Sequence, residues 1–308
     1  MQARVDTKVK PDMAPKAAPW QSLLFVGADQ RDKIARAATR GADAIILDLE
    51  DAVAPASKAG ARRSLDDAIQ TLAQEGQPTV VRINTPWRDA IADLDVAVRP
   101  GVSALMVPGC VSAQRLITLA EMLSELELHH GLDSPIGLIA LVESAAGLTN
   151  LSAIAAAPRV IALAMGTEDL ALDMHAAPTP ALLDLPARQI ALAARAHGLS
   201  SFAVPISIGA FADEDAYRSA CLDARAYGVS GAICIHPTQI RIANAIFRPR
   251  EAELDEAHAI LAAWDDRGTK NVVSWNGKMI DLPVVQRARE LLASVSHQSG
   301  IMSASQSL

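Results

Sequence analysis

Nine polar residues stand at or just after the ends of short apolar runs. Asp48 lies near the end of the run at 45–49 with Glu50 and Asp51 just after it, and Arg82 lies near the end of the run at 79–83 with Asn84 just after it. Glu143 follows residues 135–142, Glu168 and Asp169 follow 160–165, and His236 follows 231–235. A buried parallel strand reads as a continuous apolar run, and its carboxyl end is where α/β folds place ligand chemistry. Carboxylates gathered there can hold a metal or help bind a substrate. Oxygen-only ligands favour a hard cation such as Mg²⁺ over zinc. The same acids also suit helix N-termini, where they cap free N–H groups, and that alternative stands for Asp51 and Glu168 in particular. Arg82 closes an otherwise apolar Val-Val-Arg-Ile strand, so it needs a fixed anion: a substrate group, or a structural partner in Asp48 or Glu50. His236-Pro237 reads either as a catalytic group or as a turn with a hydrogen-bonded histidine. His129-His130 ends a helix and compensates its dipole.

The elements that would position these residues alternate along the chain. Strands are expected at 22–26, 45–49, 79–83, 102–107, 135–142, 160–165, 201–205 and 231–235. Helices are expected at 29–40, 57–74, 88–98, 112–128, from Glu143 to near Pro158, at 188–197, 213–227 and 238–247. A long connection carrying Pro178, Pro180 and Pro186 precedes the helix at 188–197. Such alternation predicts an α/β fold, a (β/α)8 TIM barrel over residues 20–248, whose strand ends converge on one mouth. A doubly wound open sheet is the other arrangement. It calls for a Gly-rich phosphate turn after the first strand, and Val26-Gly27-Ala28-Asp29 is not one. Residues 249–295 form a lid or oligomer contact: a helix at 250–264, an extended or hairpin-like stretch at 272–281 and a closing helix at 282–292. An arm at 1–19 and a tail at 296–308 are expected to be disordered or flexible.

Composition narrows the function. Half of the 308 residues are hydrophobic but only 3% are aromatic, so the core is built from Ala, Leu, Ile and Val. A net charge of -7 gives no basic footprint for nucleic acid. No apolar run reaches membrane-spanning length, and residues 1–19 lack the apolar core of a secretory signal. Cys110, Cys221 and Cys234 have no metal-ligand spacing, which points to buried free thiols in a cytoplasmic protein. A Gly-x-Ser-x-Gly elbow, a Walker loop and a His-Glu-x-x-His motif are all absent.

Several motifs together resemble one family: Ser22-Leu-Leu-Phe-Val26, Leu47-Asp-Leu-Glu-Asp-Ala-Val53, Val81-Arg-Ile-Asn84, Glu143-Ser-Ala-Ala-Gly147, Gly166-Thr-Glu-Asp-Leu170, Cys234-Ile-His-Pro-Thr-Gln239 and Gly277-Lys-Met-Ile-Asp-Leu-Pro283. Over about residues 20–295 the chain resembles the citrate lyase β-subunit-like (CitE-like) branch of the HpcH/HpaI aldolase superfamily. The resemblance implies a Mg²⁺-dependent barrel, with Mn²⁺ as a possible substitute, that assembles as a homotrimer. The implied reaction cleaves a C–C bond in a 3-hydroxyacyl thioester of coenzyme A or an acyl carrier, releasing an acetyl thioester and a 2-oxo acid. It assigns Glu143 and Asp169 to the metal and Arg82 to the oxo-acid end. Asn84, Gly166 and Thr167 become further substrate contacts. Glu50 joins the catalytic set with Asp51 behind it, and Asp281 becomes an acid/base reaching a neighbouring subunit. Asp281 also reads as the N-cap of the closing helix. The chain departs from the family pattern at Gln21, Gly27, Gly109, Ala203 and Ala232. Several of these replace cations, which bears on thioester or phosphate contacts. Two other functions follow from the same residues: a class II pyruvate aldolase acting on free 4-hydroxy-2-oxo acids, and a non-catalytic acyl-thioester-binding protein.

Overall fold

Eight of the apolar runs form strands, and in the computed structural model they are β1 Ser22–Gly27, β2 Ala44–Asp48, β3 Thr79–Arg82, β4 Val102–Val107, β5 Gly137–Val142, β6 Val160–Met165, β7 Ser200–Phe202 and β8 Ala232–Cys234. The structure describes residues 18, 20–266 and 271–304, with side-chain surroundings up to 295. Most of the expected N-terminal arm and the end of the expected tail lie outside the described residues. The strands are parallel in the order β7-β6-β5-β4-β3-β2-β1-β8, and a parallel bridge between Phe202 and Gly231 links the two ends of that order. This is a (β/α)8 barrel, as the alternation predicted.

Strand side chains alternate between faces, so every second residue enters the barrel. Leu23 and Phe25, Ala44 and Ile46, Val80, Ala104 and Met106, Ile139 and Leu141, and Ala162 and Ala164 belong to one interior cluster. One further step of the same parity reaches Asp48, Arg82, Glu143 and Gly166. The apolar fill therefore ends where the chemistry-bearing residues begin. At the amino end Ala18 and Trp20 are buried in the same cluster, and Ser200 Oγ donates to Ala18 O at 2.6 Å. Ala18, within the stretch expected to be disordered, is thus packed against the barrel.

The surrounding helices are α1 Arg31–Ala37, α2 Lys58–Gln74, α3 Trp87–Ala97, α4 Ala113–His130, α5 Ala145–Thr149, α6 Leu151–Ala155, α7 Thr167–Asp173, α8 Pro180–Ala196, α9 Glu214–Ala226 and α10 Pro237–Phe247. Two differ from expectation. The Ala-rich helix after Glu143 breaks at Asn150, whose ψ of 11° leaves α5 and α6 as separate short pieces. The long connection is largely helical: α7 occupies its start, and α8 begins at Pro180, well before residue 188. Proline at the first helical position loses no hydrogen bond, and Pro186 is tolerated because burial with Leu183, Ala187 and Ile190 holds the helix in place. Cys110, Cys221 and Cys234 are free and buried. Among the described residues no helix is long and apolar enough to cross a membrane.

The chain divides after Asn244 into two compact units. In the second, α11 Glu251–Asp265 and α12 Leu282–Ala304 accompany a hairpin of β9 Val273–Trp275 and β10 Lys278–Ile280. Asn276 and Gly277, both at positive φ (49° and 74°), form its two-residue turn, the geometry that matches strand twist. Trp264, Ile280 and Val285 form the unit's small core.

Barrel closure depends on a close approach. A Cβ on Gly231 would lie 2.5 Å from the carbonyl oxygen of Gln21, which already accepts from Ala232 N at 2.9 Å. Gly231→Ala should push β8 from β1 and destabilise the barrel by about 1–3 kcal/mol, the usual range for an overpacked site. Thermal denaturation of the variant should show a lowered Tm; an unchanged Tm would mean the seam relaxes freely.

Candidate active site at the barrel mouth

Asp48 and Arg82 are direct register partners on β2 and β3, both pointing inward. Arg82 is only 8% exposed, and its Nε and Nη2 donate to Asp48 Oδ1 and Oδ2 at 2.7 and 2.6 Å. The remaining nitrogen, Nη1, lies 3.0 Å from Glu50 Oε2 and 3.4 Å from Asp51 Oδ2. The Phe25 ring sits under the guanidinium at 4.7 Å. Asp48 also accepts from the backbone N–H groups of Glu50 and Ala52, so it anchors the loop that carries the next two acids. The structural ion pair considered for Arg82 exists, and it leaves one edge of the guanidinium turned toward the carboxylates.

Asn84, expected at the substrate, turns into the scaffold instead. Its Nδ2 donates to Leu49 O and Asp93 Oδ2, and its Oδ1 accepts from Lys58 Nζ. Asp93 Oδ2 also takes the Asn84 N–H, while Asp93 Oδ1 pairs with Arg62 Nε at 2.7 Å. With every polar atom of its amide engaged and 2% exposure, Asn84 positions the loop after β3. Asp93 and Arg62 were not singled out from sequence. The available signal was an acid in the buried stripe of α3, beside Ala90 and Leu94.

Glu143 and Asp169 both line an open cavity of about 420 Å³, together with Glu50, Asp51, Thr85 and Gly109. Glu143 Oε2 accepts the Gly109 N–H at 2.6 Å, and Gly109 adopts φ +61°, where side chains are disfavoured. A Cβ on Gly166 would lie 2.5 Å from Glu143 Cγ, so the glycine there makes room for the carboxylate. Gly166 thus serves the metal candidate by close approach. Burial pushes Glu143 up to about 8, helped by the negative charges of Glu50 and Asp169 against the Gly109 hydrogen bond and Arg82. Burial likewise pushes Glu50 up to about 7, opposed by Arg82, raised by Asp51 and Asp48, and lowered by the Thr85 hydroxyl at 3.0 Å.

The other expected residues lie elsewhere. Thr167 Oγ1 accepts from Ile208 N and donates to Glu168 Oε1, which also accepts from Ser207 Oγ at 2.7 Å. Thr167, expected at the substrate, is therefore a strut between α7 and the loop after β7. His236 stacks on Phe211 and its Nδ1 accepts the Thr238 N–H, as a turn residue would. Asp281 Oδ1 accepts the Val284 N–H, and Asp281 caps α12. Burial pushes the Cys110 thiol up to about 12, so it is no nucleophile at neutral pH.

Four acids thus face one cavity, and Arg82 is already matched by Asp48. That surplus of acids around one cavity, built only from oxygen donors, fits a hard divalent cation. Among the described residues no cluster of three or more His, Cys, Asp or Glu side chains is arranged to enclose a metal. Two carboxylates with open positions is the arrangement Mg²⁺ tolerates, because it retains waters or takes substrate oxygens.

A model of the HpcH/HpaI aldolase/citrate lyase family matches residues 21–237. The chain belongs to that family. It is 35% identical to the (3S)-malyl-CoA thioesterase of Cereibacter sphaeroides, covering 91% of this chain and 96% of that protein. It is 34% identical to the citrate lyase subunit beta of Leuconostoc mesenteroides, over 90% and 94% of the two chains. The structure of CitE from Mycobacterium tuberculosis with magnesium, acetoacetate and coenzyme A superposes with a TM-score of 0.69 at 29% identity, covering 90% of this chain and 98% of that one. These likenesses support the CitE-like branch within the family.

The raised Glu143 has a measurable consequence for the metal-free protein. An ordinary glutamic acid titrates near 4.5, and this one near 8, so the folded state holds a proton that the unfolded state has lost between those values. The stability it contributes is complete below about pH 4.5 and is lost as pH rises through 8. With a chelator present, the Tm of the wild type should fall across that interval more steeply than that of Glu143→Gln. Parallel slopes in scanning calorimetry would contradict the assignment.

Proposed function

We propose that this chain is a Mg²⁺-dependent C–C lyase acting on a 3-hydroxyacyl coenzyme A thioester of the malyl, citramalyl or citryl type. The products are acetyl-CoA and a 2-oxo acid. The observation that carries this reading is the pairing of Glu143 and Asp169 in one cavity beside Glu50 and the Asp48-anchored Arg82. The family, the CitE complex with magnesium and coenzyme A, and the malyl-CoA relative support the substrate class.

Glu143 and Asp169 would hold Mg²⁺, which when bound acidifies a substrate hydroxyl and so favours its deprotonation. Glu50, steadied by Thr85, is the base assigned to that proton. Arg82 holds fixed positive charge toward the forming oxo acid through Nη1, the nitrogen that Asp48 leaves unused. Asp51 stands behind Glu50 and orients solvent at the cavity rim. Asp281 is the acid that returns a proton to the acetyl carbon, delivered from a neighbouring copy in a homotrimer. Gly166 makes room for the Glu143 side chain at the end of β6, and Thr167 supports the mouth through its bond to Ile208 N. We place the protein in the cytosol, with Mn²⁺ able to replace Mg²⁺ and an acyl carrier protein as the alternative thiol.

A second reading is hydrolysis of the thioester itself, favoured by the 35% identity to a malyl-CoA thioesterase over most of both chains. Products separate the two. Malyl-, citramalyl- and citryl-CoA should each be incubated with enzyme and Mg²⁺. Cleavage by a lyase yields a 2-oxo acid without free thiol, whereas hydrolysis yields free coenzyme A thiol and no oxo acid. Thiol release alone would sink the lyase reading.

Loss of one metal carboxylate should be costly. Glu143→Gln and Asp169→Asn should each lower Mg²⁺-dependent turnover by at least about 10–100-fold, since even outer-shell changes cost that much. Full activity in both would remove them from the metal site. Asp281→Asn offers a cleaner separation, because asparagine caps a helix about as well as aspartate but cannot donate an acid proton. Turnover should collapse while Tm and Mg²⁺ affinity hold; retained turnover would leave Asp281 as a cap only.

A further inference from the structure

Two further cations approach the mouth, and only one is satisfied. Lys58 Nζ is bonded to Leu49 O, Glu50 O and Asn84 Oδ1. Arg115, on the first turn of α4, has a single hydrogen bond among the described residues, from Nη2 to Asn84 O at 3.3 Å. Its Nε is buried and has no partner. The guanidinium carbon lies 4.3 Å from the centroid of the Trp87 ring, and Trp87 is 41% exposed as the first residue of α3. Burial pulls Arg115 below the usual arginine value, with the charges of Cys110 and Glu50 opposing.

A buried N–H without an acceptor carries a desolvation cost, and a desolvated guanidinium carries more. Stacking on indole offsets part of it, and the guanidinium still carries donor capacity that no acceptor among the described residues takes up, which suits an oxyanion. Its neighbours set the location. Asn84, which Arg115 touches, immediately precedes Thr85, and Val111 lies in the loop just before α4; Thr85 and Val111 both line the acidic cavity. Arg82 cannot offer a full fork there, because Asp48 occupies two of its nitrogens.

We propose that Arg115 and Trp87 form an anion subsite of this mouth, which binds an oxyanion of the substrate. This deepens the reading of the same site as one for an anionic thioester and rests on it. Two parts of such a substrate carry that chemistry: the carboxylate that leaves in the oxo acid, and a phosphate of the nucleotide carrier. Arg115 is a binding residue here and takes no part in bond cleavage.

The test titrates wild type, Arg115→Gln, Arg115→Lys and Trp87→Leu with pyruvate and with adenosine 3′,5′-bisphosphate in the presence of Mg²⁺. Calorimetric affinity, Mg²⁺ affinity, Tm and the kinetics on the best thioester are read for each. Arg115→Gln should weaken one of the two anions by about tenfold or more, the scale of a lost charge-assisted pair. Arg115→Lys should recover part of that loss, and Trp87→Leu should show a smaller one. Turnover should change in KM rather than kcat, and Mg²⁺ affinity and Tm should hold. Loss confined to pyruvate places the subsite at the oxo-acid end; loss confined to the bisphosphate places it at the carrier. Unchanged affinity for both anions in Arg115→Gln overturns the subsite, as does a loss that tracks a fall in Tm, and so does failure of the wild type to bind either. If wild type shows Arg115-dependent anion binding yet cleaves no thioester, the proposed reaction fails and the subsite stands. Cleavage that ignores Arg115 is the reverse case.

Discussion

Buried charge at the carboxyl ends of the strands is the constraint on which the mouth is built. At the mouth Asp48 and Arg82 form a fully matched pair, locked by two short hydrogen bonds and by direct strand register. Breaking such a pair by removing one member leaves an uncompensated buried charge, which is far costlier than the pair's net worth. The pair also does something a hydrophobic replacement could not. Asp48 spends its remaining acceptor capacity on the N–H groups of Glu50 and Ala52, so the loop after β2 is held with Glu50 toward the cavity.

Around that matched pair the charges do not cancel. Glu143 and Glu50 are pushed upward because burial outweighs the help each receives from Arg82 and its hydrogen bonds. A site that only needed stability would not keep them there. Glycine makes the crowding possible: at 166 it lets the Glu143 side chain lie against the backbone, and at 109 it offers an N–H from a left-handed turn. A side chain at 166 would collide with Glu143, and one at 109 would strain the turn that offers the N–H. The metal-free mouth is therefore poised to exchange protons for a cation.

Much of this was legible in the sequence. The apolar runs were continuous because each strand is buried on both faces, and the acids stood out against them. Alternation along the observed strands explains which of those residues continue the interior rows. Less legible was which atoms a polar side chain would satisfy. Asn84 and Thr167 sit at strand ends as expected, yet their hydrogen bonds run into Asp93, Lys58 and Ile208 from distant segments. Position along a strand is a local property; partner choice is a tertiary one. The proline-bearing segment before residue 188 misled for a related reason, since packing overrides the local penalty of Pro186.

The same distinction bears on Arg115. Sequence gives it no mark: it is one polar residue near the start of an amphipathic helix. Its character comes from what surrounds it, an indole face, one long carbonyl contact and an Nε with no acceptor. Cations elsewhere in the barrel show the ordinary solution. Arg62 is divided between Asp89 and Asp93, and Arg159 is forked onto Glu127. Each of those was given its anion by the fold. Arg115 feels the charge of Glu50 yet has no ion pair among the described residues, because Glu50 is committed to Arg82 and Thr85 and Glu143 to Gly109. In the proposed reading the acids serve a cation, and the unpaired Arg115 guanidinium serves an anion. A substrate that brings its own oxyanions to a metal-holding mouth would satisfy both at once.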